Sequence, residues 1–152
     1  MIRAYRLHTG PDGNSHVARG FVNEDKLVET RSIHFKETPP HSSYEWHDAP
    51  HPQYVITLAG VLEFTTVGGE TFIIHPGEVL LAEDNIGSGH KWRLINDEPW
   101  KRAYVVFKEG ADAQFVPGWS FNHFKSGHRL VVIAMRRSMN RNFYKGEGRS
   151  QQ

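Results

Sequence analysis

The chain has no cysteine in its 152 residues. That absence removes disulfides, thiolate metal sites, iron–sulfur clusters and a cysteine nucleophile. It has almost no net charge, +1 with the histidines neutral, so overall electrostatics points to no partner. No apolar run approaches the ~20 residues of a membrane span, and the opening MIRAYRLHTGPDG lacks the apolar core of a signal peptide. A cytoplasmic protein without membrane contact is therefore expected. Also missing are a phosphate-binding Gly-rich loop before a helix and a dinucleotide fingerprint, which argues against a nucleotide cofactor. Ser, His and Asp are all present, but the Gly-x-Ser-x-Gly elbow of a hydrolase is not.

What the chain does have is β-forming residues in short runs. Val, Ile, Thr, Phe, Tyr and Trp cluster between turn residues, while Ala, Leu, Glu and Lys never accumulate at helical spacing. The runs predict strands at Leu27–Glu29, Ser32–Phe35, Ser43–His47, Tyr54–Leu58, Val61–Thr66, Thr71–Ile74, Val79–Ala82, Lys91–Ile95, Arg102–Phe107 and Leu130–Met135. Turn chemistry separates them. The prolines of Pro39-Pro40 and Ala49-Pro50-His51-Pro52 cannot donate to a ladder, and Gly68-Gly69, His75-Pro76-Gly77 and Gly87-Ser88-Gly89 are turn sequences. Short strands at this spacing predict an all-β sandwich or barrel, one domain over 1–152.

Residues 108–128 are irregular yet carry Phe115, Trp119, Phe121 and Phe124. Such a segment is expected to pack on the barrel or on a second subunit. From His123 onward seven Lys or Arg stand against one acid, Glu147, but no nucleic-acid motif contains them. A solvated tail, or one pairing with a partner's acids, is expected rather than nucleic-acid binding.

Two patterns carry the functional signal. The first is His47-Asp48-Ala49-Pro50-His51-Pro52-Gln53, followed by a β-run and Gly60. The second is Pro76-Gly77-Glu78, a β-run, a Gly-rich turn and then His90 with Trp92 and Leu94. Both resemble the two motifs of the cupin superfamily over roughly residues 30–107. His47 matches the first histidine, Gln53 stands where that family has Glu, Gly60 is the turn glycine, and His90 matches the third histidine. Ala49 stands where the second histidine belongs. The resemblance implies a jelly-roll barrel, or double-stranded β-helix, with ligands converging inside one mouth, and often a dimer.

Strand parity places His90, Trp92 and Leu94 on one face and Lys91 and Arg93 on the other. With His47 and Gln53 inward, Glu45, Val55 and Thr57 are expected inward too. Tyr44, Trp46, Tyr54, Ile56 and Leu58 then face outward, where a homodimer partner or the 108–128 segment would cover them.

Three chemistries stay open for this site. A divalent transition metal (Fe, Mn, Zn or Ni) would use His47, Gln53 and His90, with Glu45 or His51 as substitutes. Metal-free acid–base catalysis would use His47 and His90 with Glu45, Glu83 or Asp84. A binding or sensor module would hold a small polar or aromatic metabolite on Trp92, Gln53 and Thr57. Arg93, Arg102 or an arginine of the tail could draw an anionic one to the mouth.

Overall fold

The computed structural model describes residues 1–118. The strand expected at Leu130–Met135, the aromatics Trp119, Phe121 and Phe124, and the basic tail lie outside the described residues.

The described residues form eleven strands and no helix: β1 (Ile2–Thr9), β2 (Ser15–Val22), β3 (Thr30–Thr38), β4 (Ser43–His47), β5 (Gln53–Ala59), β6 (Leu62–Thr66), β7 (Thr71–Ile74), β8 (Val79–Glu83), β9 (His90–Leu94), β10 (Trp100–Phe107) and β11 (Phe115–Pro117). They build a seven-stranded sheet, β11-β2-β1-β8-β5-β10-β3, and a four-stranded sheet, β4-β9-β6-β7. Every pairing is antiparallel except β1 with β8. This is an all-β jelly roll.

Alternation along the strands makes the two inner faces apolar. Tyr5 and Leu7, Val55, Leu80 and Ala82, and Trp100 from the larger sheet meet Leu62 and Phe64, Phe72 and Ile74, and Leu94 from the smaller one. Aromatic rings tie the layers together: Tyr5 stacks on Phe72 at 5.0 Å, and Phe72 stacks on Phe64 at 5.1 Å. Trp92 packs edge-on to Trp100 at 4.8 Å. Such offset and edge contacts add to the burial of large apolar rings.

Three expectations change. β1 and β2 lie outside the predicted strands, yet they are interior strands of the larger sheet, between β11 and β8; Leu27–Glu29 is not a strand. The TGPDGNS turn closes the β1–β2 hairpin, with Asp12 Oδ1 accepting from the Asn14 amide at 3.0 Å. The third change is in β4. A register shift lies between Tyr44, which pairs with Trp92, and His47, which pairs with His90. The irregularity puts Tyr44 and His47 on the same face, three residues apart, and their rings touch edge-on at 4.3 Å. Tyr44 therefore turns toward the mouth, not outward.

On β5 the inward set is as expected: Gln53, Val55 and Thr57 are buried, while Tyr54 and Ile56 are half-buried and Leu58 is exposed. The 108–118 stretch covers only part of the outer face. Tyr54 hydrogen-bonds to the Ala113 carbonyl and packs on Phe107, and β11 extends the sheet beside β2.

Candidate functional site

The centre of the site is a buried carboxylate, a buried imidazole and a half-buried imidazole in sequence. Asp84 follows β8 and has no exposure to solvent. Its Oδ2 accepts from the Ser15 hydroxyl at 2.8 Å and lies 2.6 Å from His90 Nδ1. Oδ2 already accepts from Ser15, so His90 Nδ1 is the donor of the second bond, which puts a proton on Nδ1 and turns Nε2 away from Asp84. His47 reaches the same state by another route: its Nδ1 donates to the Glu45 backbone carbonyl at 2.7 Å. The two rings lie 4.5 Å apart, with Phe64 behind His90 at 5.9 Å.

Burial pushes the His47 imidazole below its ordinary value near 6.5, and the neighbouring His90 adds to the shift. Donation to the Glu45 carbonyl opposes it without reversing it. The consequence for stability has a definite sign. Below about pH 6.5 the unfolded chain takes up this proton before the folded one does. Stability is therefore lost as pH falls from there to the depressed folded value, and is fully present above it. His16, raised by its hydrogen bond to Asp12, works in the opposite direction. Urea unfolding across pH 5–8 should accordingly show a shallower pH dependence in His47→Gln than in wild type. Parallel curves would mean that His47 titrates as it does in water.

The other predicted residues fall into place as follows. Trp92 faces the lumen, stacked 6.1 Å from Tyr44. Thr57 is buried and spends its hydroxyl on the Trp100 indole N–H at 3.2 Å. Gln53 is buried on the inner face of β5, opposite Ala82 and Val106. Glu45 is exposed, and it is its backbone carbonyl that meets His47. Glu83 pairs with Arg6 at 2.9 Å. His51 lines a different cavity of about 560 Å³ with Arg6, Arg31 and Lys108, away from the histidine pair. Of the acids considered, Asp84 is the one that reaches an imidazole. Ser15 and Tyr44 gave no sequence signal, the first because its partner is far along the chain, the second because the β4 irregularity reverses its face.

Arg102 is a second buried charged group, two residues along β10 from Trp100. It points inward from β10, between Thr57 of β5 and Lys36 of β3, and is only 2% exposed. Its guanidinium lies 3.7 Å from the Trp100 ring centroid and donates to Thr38 Oγ1 at 2.6 Å and to the Tyr104 hydroxyl at 2.9 Å. No carboxylate pairs with it among the described residues.

The donor set does not fit a resident divalent cation. Protein metal sites of this kind use three or more His, Cys, Asp or Glu ligands, and no such group occurs among the described residues. Ala49, buried in the apolar core, brings no donor, and Gln53 brings no charge.

A two-sheet jelly roll with His47, Gln53, Asp84 and His90 among the side chains of its interior is the architecture the comparisons address. The Cupin domain family model matches residues 34–107, so the chain carries a small domain of the cupin superfamily. No curated protein matches it. Among solved structures it is similar to the conserved SPY1581 protein of unknown function from Streptococcus pyogenes, at 20% identity and a TM-score of 0.39, covering 59% of this chain and 81% of that one. It is also similar to a candidate ethanolamine utilization protein q from Salmonella typhimurium (16%, TM-score 0.40, 70% and 96% covered). The Drosophila melanogaster CENP-C cupin domain is a third (14%, TM-score 0.39, 66% and 69% covered). None of these likenesses bears on what the present chain binds. No helix among the described residues is long and apolar enough to cross a membrane.

Proposed function

We propose that this cupin is a cytoplasmic enzyme that moves a proton on a small, carboxylate-bearing polar or aromatic metabolite held inside the barrel, in an isomerase or lyase type of reaction. The observation that carries the reading is the Asp84–His90 pair at 2.6 Å, with His47 beside it. A buried carboxylate fixes the tautomer of its imidazole and stabilises the imidazolium that forms when Nε2 takes a proton. His47, kept neutral by burial, is suited to the return transfer. Tyr44, Trp92 and Trp100 offer aromatic walls. Arg102 supplies a cation without a carboxylate of its own among the described residues, which makes a ligand carboxylate its natural complement. Oxygenase chemistry on a resident metal is not part of this reading, because the donor set falls short of a metal site.

A second reading is a binding or sensor cupin without chemistry. It rests on the burial of His90, 4% exposed, which leaves little room for a substrate to reach Nε2 unless the mouth opens.

A panel of small mono- and dicarboxylates, aliphatic and aromatic, separates the readings. Ligands are found by thermal shift, then incubated with protein in D2O and followed by NMR for deuterium entering at carbon. Binding with deuterium exchange that His90→Gln abolishes supports the enzyme. Binding without exchange selects the sensor. Arg102→Lys keeps the charge but loses the planar fork, and should weaken carboxylate binding about tenfold in either case. A panel in which no carboxylate binds would overturn both.

A further inference from the structure

We infer that the inner face of β10 and β3 holds a doubly charged oxyanion, a phosphate monoester or two neighbouring carboxylates, between Arg102 and Lys36. The inference rests on the reading of the barrel as a site for an anionic metabolite. It adds a second cation and the charge of the ligand's anchored end.

Register sets the two cations against each other. Arg102 of β10 has Lys36 of β3 as its Cα partner, and directly opposed residues of an antiparallel pair share a face. Neighbouring contacts identify that face as the inner one. Tyr104 stacks on its own partner, His34, at 4.7 Å, and the Arg102 guanidinium lies over Trp100, whose ring belongs to the core. Like charges directly opposed on a ladder repel. Neither strand brings an acid to this face, since Glu37 alternates to the outer one, opposite Lys101. No carboxylate pairs with Arg102 or Lys36 among the described residues.

The bonds Arg102 makes leave a place for the anion. Its Nε donates to the Tyr104 hydroxyl, and Nη1 donates to Thr38 Oγ1 and to the Trp100 carbonyl. Nη2 has no partner among the described residues and is not sealed from solvent. A charged group buried this deeply, with donors unmade, is costly unless an acceptor arrives. Its other bonds fix the guanidinium in place. Lys36 is exposed on the edge strand, and its flexible stem lets the ammonium swing toward the same point. One carboxylate would neutralise one of these cations. A doubly charged group neutralises both within the span of a single cross-strand pair.

Amide NMR titrations of the full chain with phosphate, malonate and acetate, at constant ionic strength, test this. Phosphate or malonate should bind at least about tenfold tighter than acetate, with shifts centred on Lys36, Thr38 and Arg102. Whichever of the two binds tighter identifies the anchored end as a phosphate ester or a dicarboxylate. Lys36→Gln should weaken dianion binding about tenfold and leave acetate binding unchanged. Lys101→Gln, on the outer face of β10, should change neither. At low salt without ligand, Lys36→Gln should also raise the urea midpoint, because a repulsion is removed, and added phosphate should cancel that gain. A lysine with only a structural role would not move the anion preference. Acetate binding as tightly as the dianions, no binding by either dianion, or dianion affinity indifferent to Lys36→Gln would overturn the inference. Deuterium exchange at carbon reads the proton transfer separately. A Lys36-dependent dianion preference without exchange keeps the subsite and removes the transfer, while exchange indifferent to Lys36→Gln keeps the transfer and removes the subsite.

Discussion

Replacing Asp84 with alanine lowers the unfolding free energy by about 3 kcal/mol, the usual scale for removing one partner of a fully buried charged hydrogen bond. The size follows from what is left behind. Asp84 Oδ2 serves both Ser15 and His90, so its loss strands two buried donors at once. The carboxylate's other oxygen, Oδ1, has no partner in the described structure, so nothing is lost on that side. Asp84→Asn is the informative companion. Its amide oxygen can occupy the Oδ2 position and accept from both donors, while its NH2 falls where no acceptor waits. It keeps the hydrogen bonds and removes the charge, and should cost clearly less than alanine. Urea denaturation of the three proteins gives the ordering.

Nitrogen-15 shifts of the imidazoles report the chemistry separately. In wild type His90 should carry its proton on Nδ1; in Asp84→Ala that preference should disappear. If alanine costs under about half a kcal/mol and leaves the His90 tautomer unchanged, the carboxylate does not organise the site.

The parts of this arrangement that were legible in the sequence are the local ones. In His90–Leu94 the alternation of His90, Trp92 and Leu94 with Lys91 and Arg93 fixes an inner face, and the structure has His90 and Leu94 buried and Arg93 paired to Glu63 outside. The same holds for Gln53, Val55 and Thr57. Gly60 and the Pro76-Gly77 turn gave the spacing, and Gly60 does adopt a positive φ of 90°. What could not be read is non-local or depends on a single-residue irregularity. β1 alternates Arg6 and His8 with Tyr5 and Leu7, so its charged face dilutes the β signal, and its sheet partner β8 lies far along the chain and is joined in parallel, without a hairpin to announce it. In β4 the register shift turns Tyr44 toward the mouth, and period-two counting cannot see a bulge. The choice between Glu83 and Asp84 is decided by one residue. Glu83 ends the strand on its outer face beside Arg6, while Asp84 lies just past the end, where the chain turns inward toward Ser15 and His90.

Gly89→Ala should be more damaging than its one added methyl suggests, because Gly89 is where the turn before β9 presses on the end of β4. Its φ is +73°, in the region that costs an L-residue roughly 1–2 kcal/mol. The added Cβ would also sit 2.2 Å from the His47 carbonyl oxygen, 2.5 Å from its carbon and 2.9 Å from the Asp48 nitrogen. These are backbone atoms and cannot swing aside as a flexible side chain would. Relief requires the end of β4 to move away from β9, which is the pairing that sets His47 against His90. Overpacking of this kind adds about 1–3 kcal/mol, for a total of about 2–5 kcal/mol. Gly69→Ala isolates the two contributions, since Gly69 has a similar φ of +87° but nothing within 4 Å of its added Cβ. It should pay only the conformational cost. Denaturant unfolding should therefore rank Gly89→Ala well below Gly69→Ala, and only Gly89→Ala should disturb the His47 and His90 imidazole signals. Equal losses in the two variants would mean that the turn does not hold β4 in place, and the close approach of the two imidazoles would need another cause.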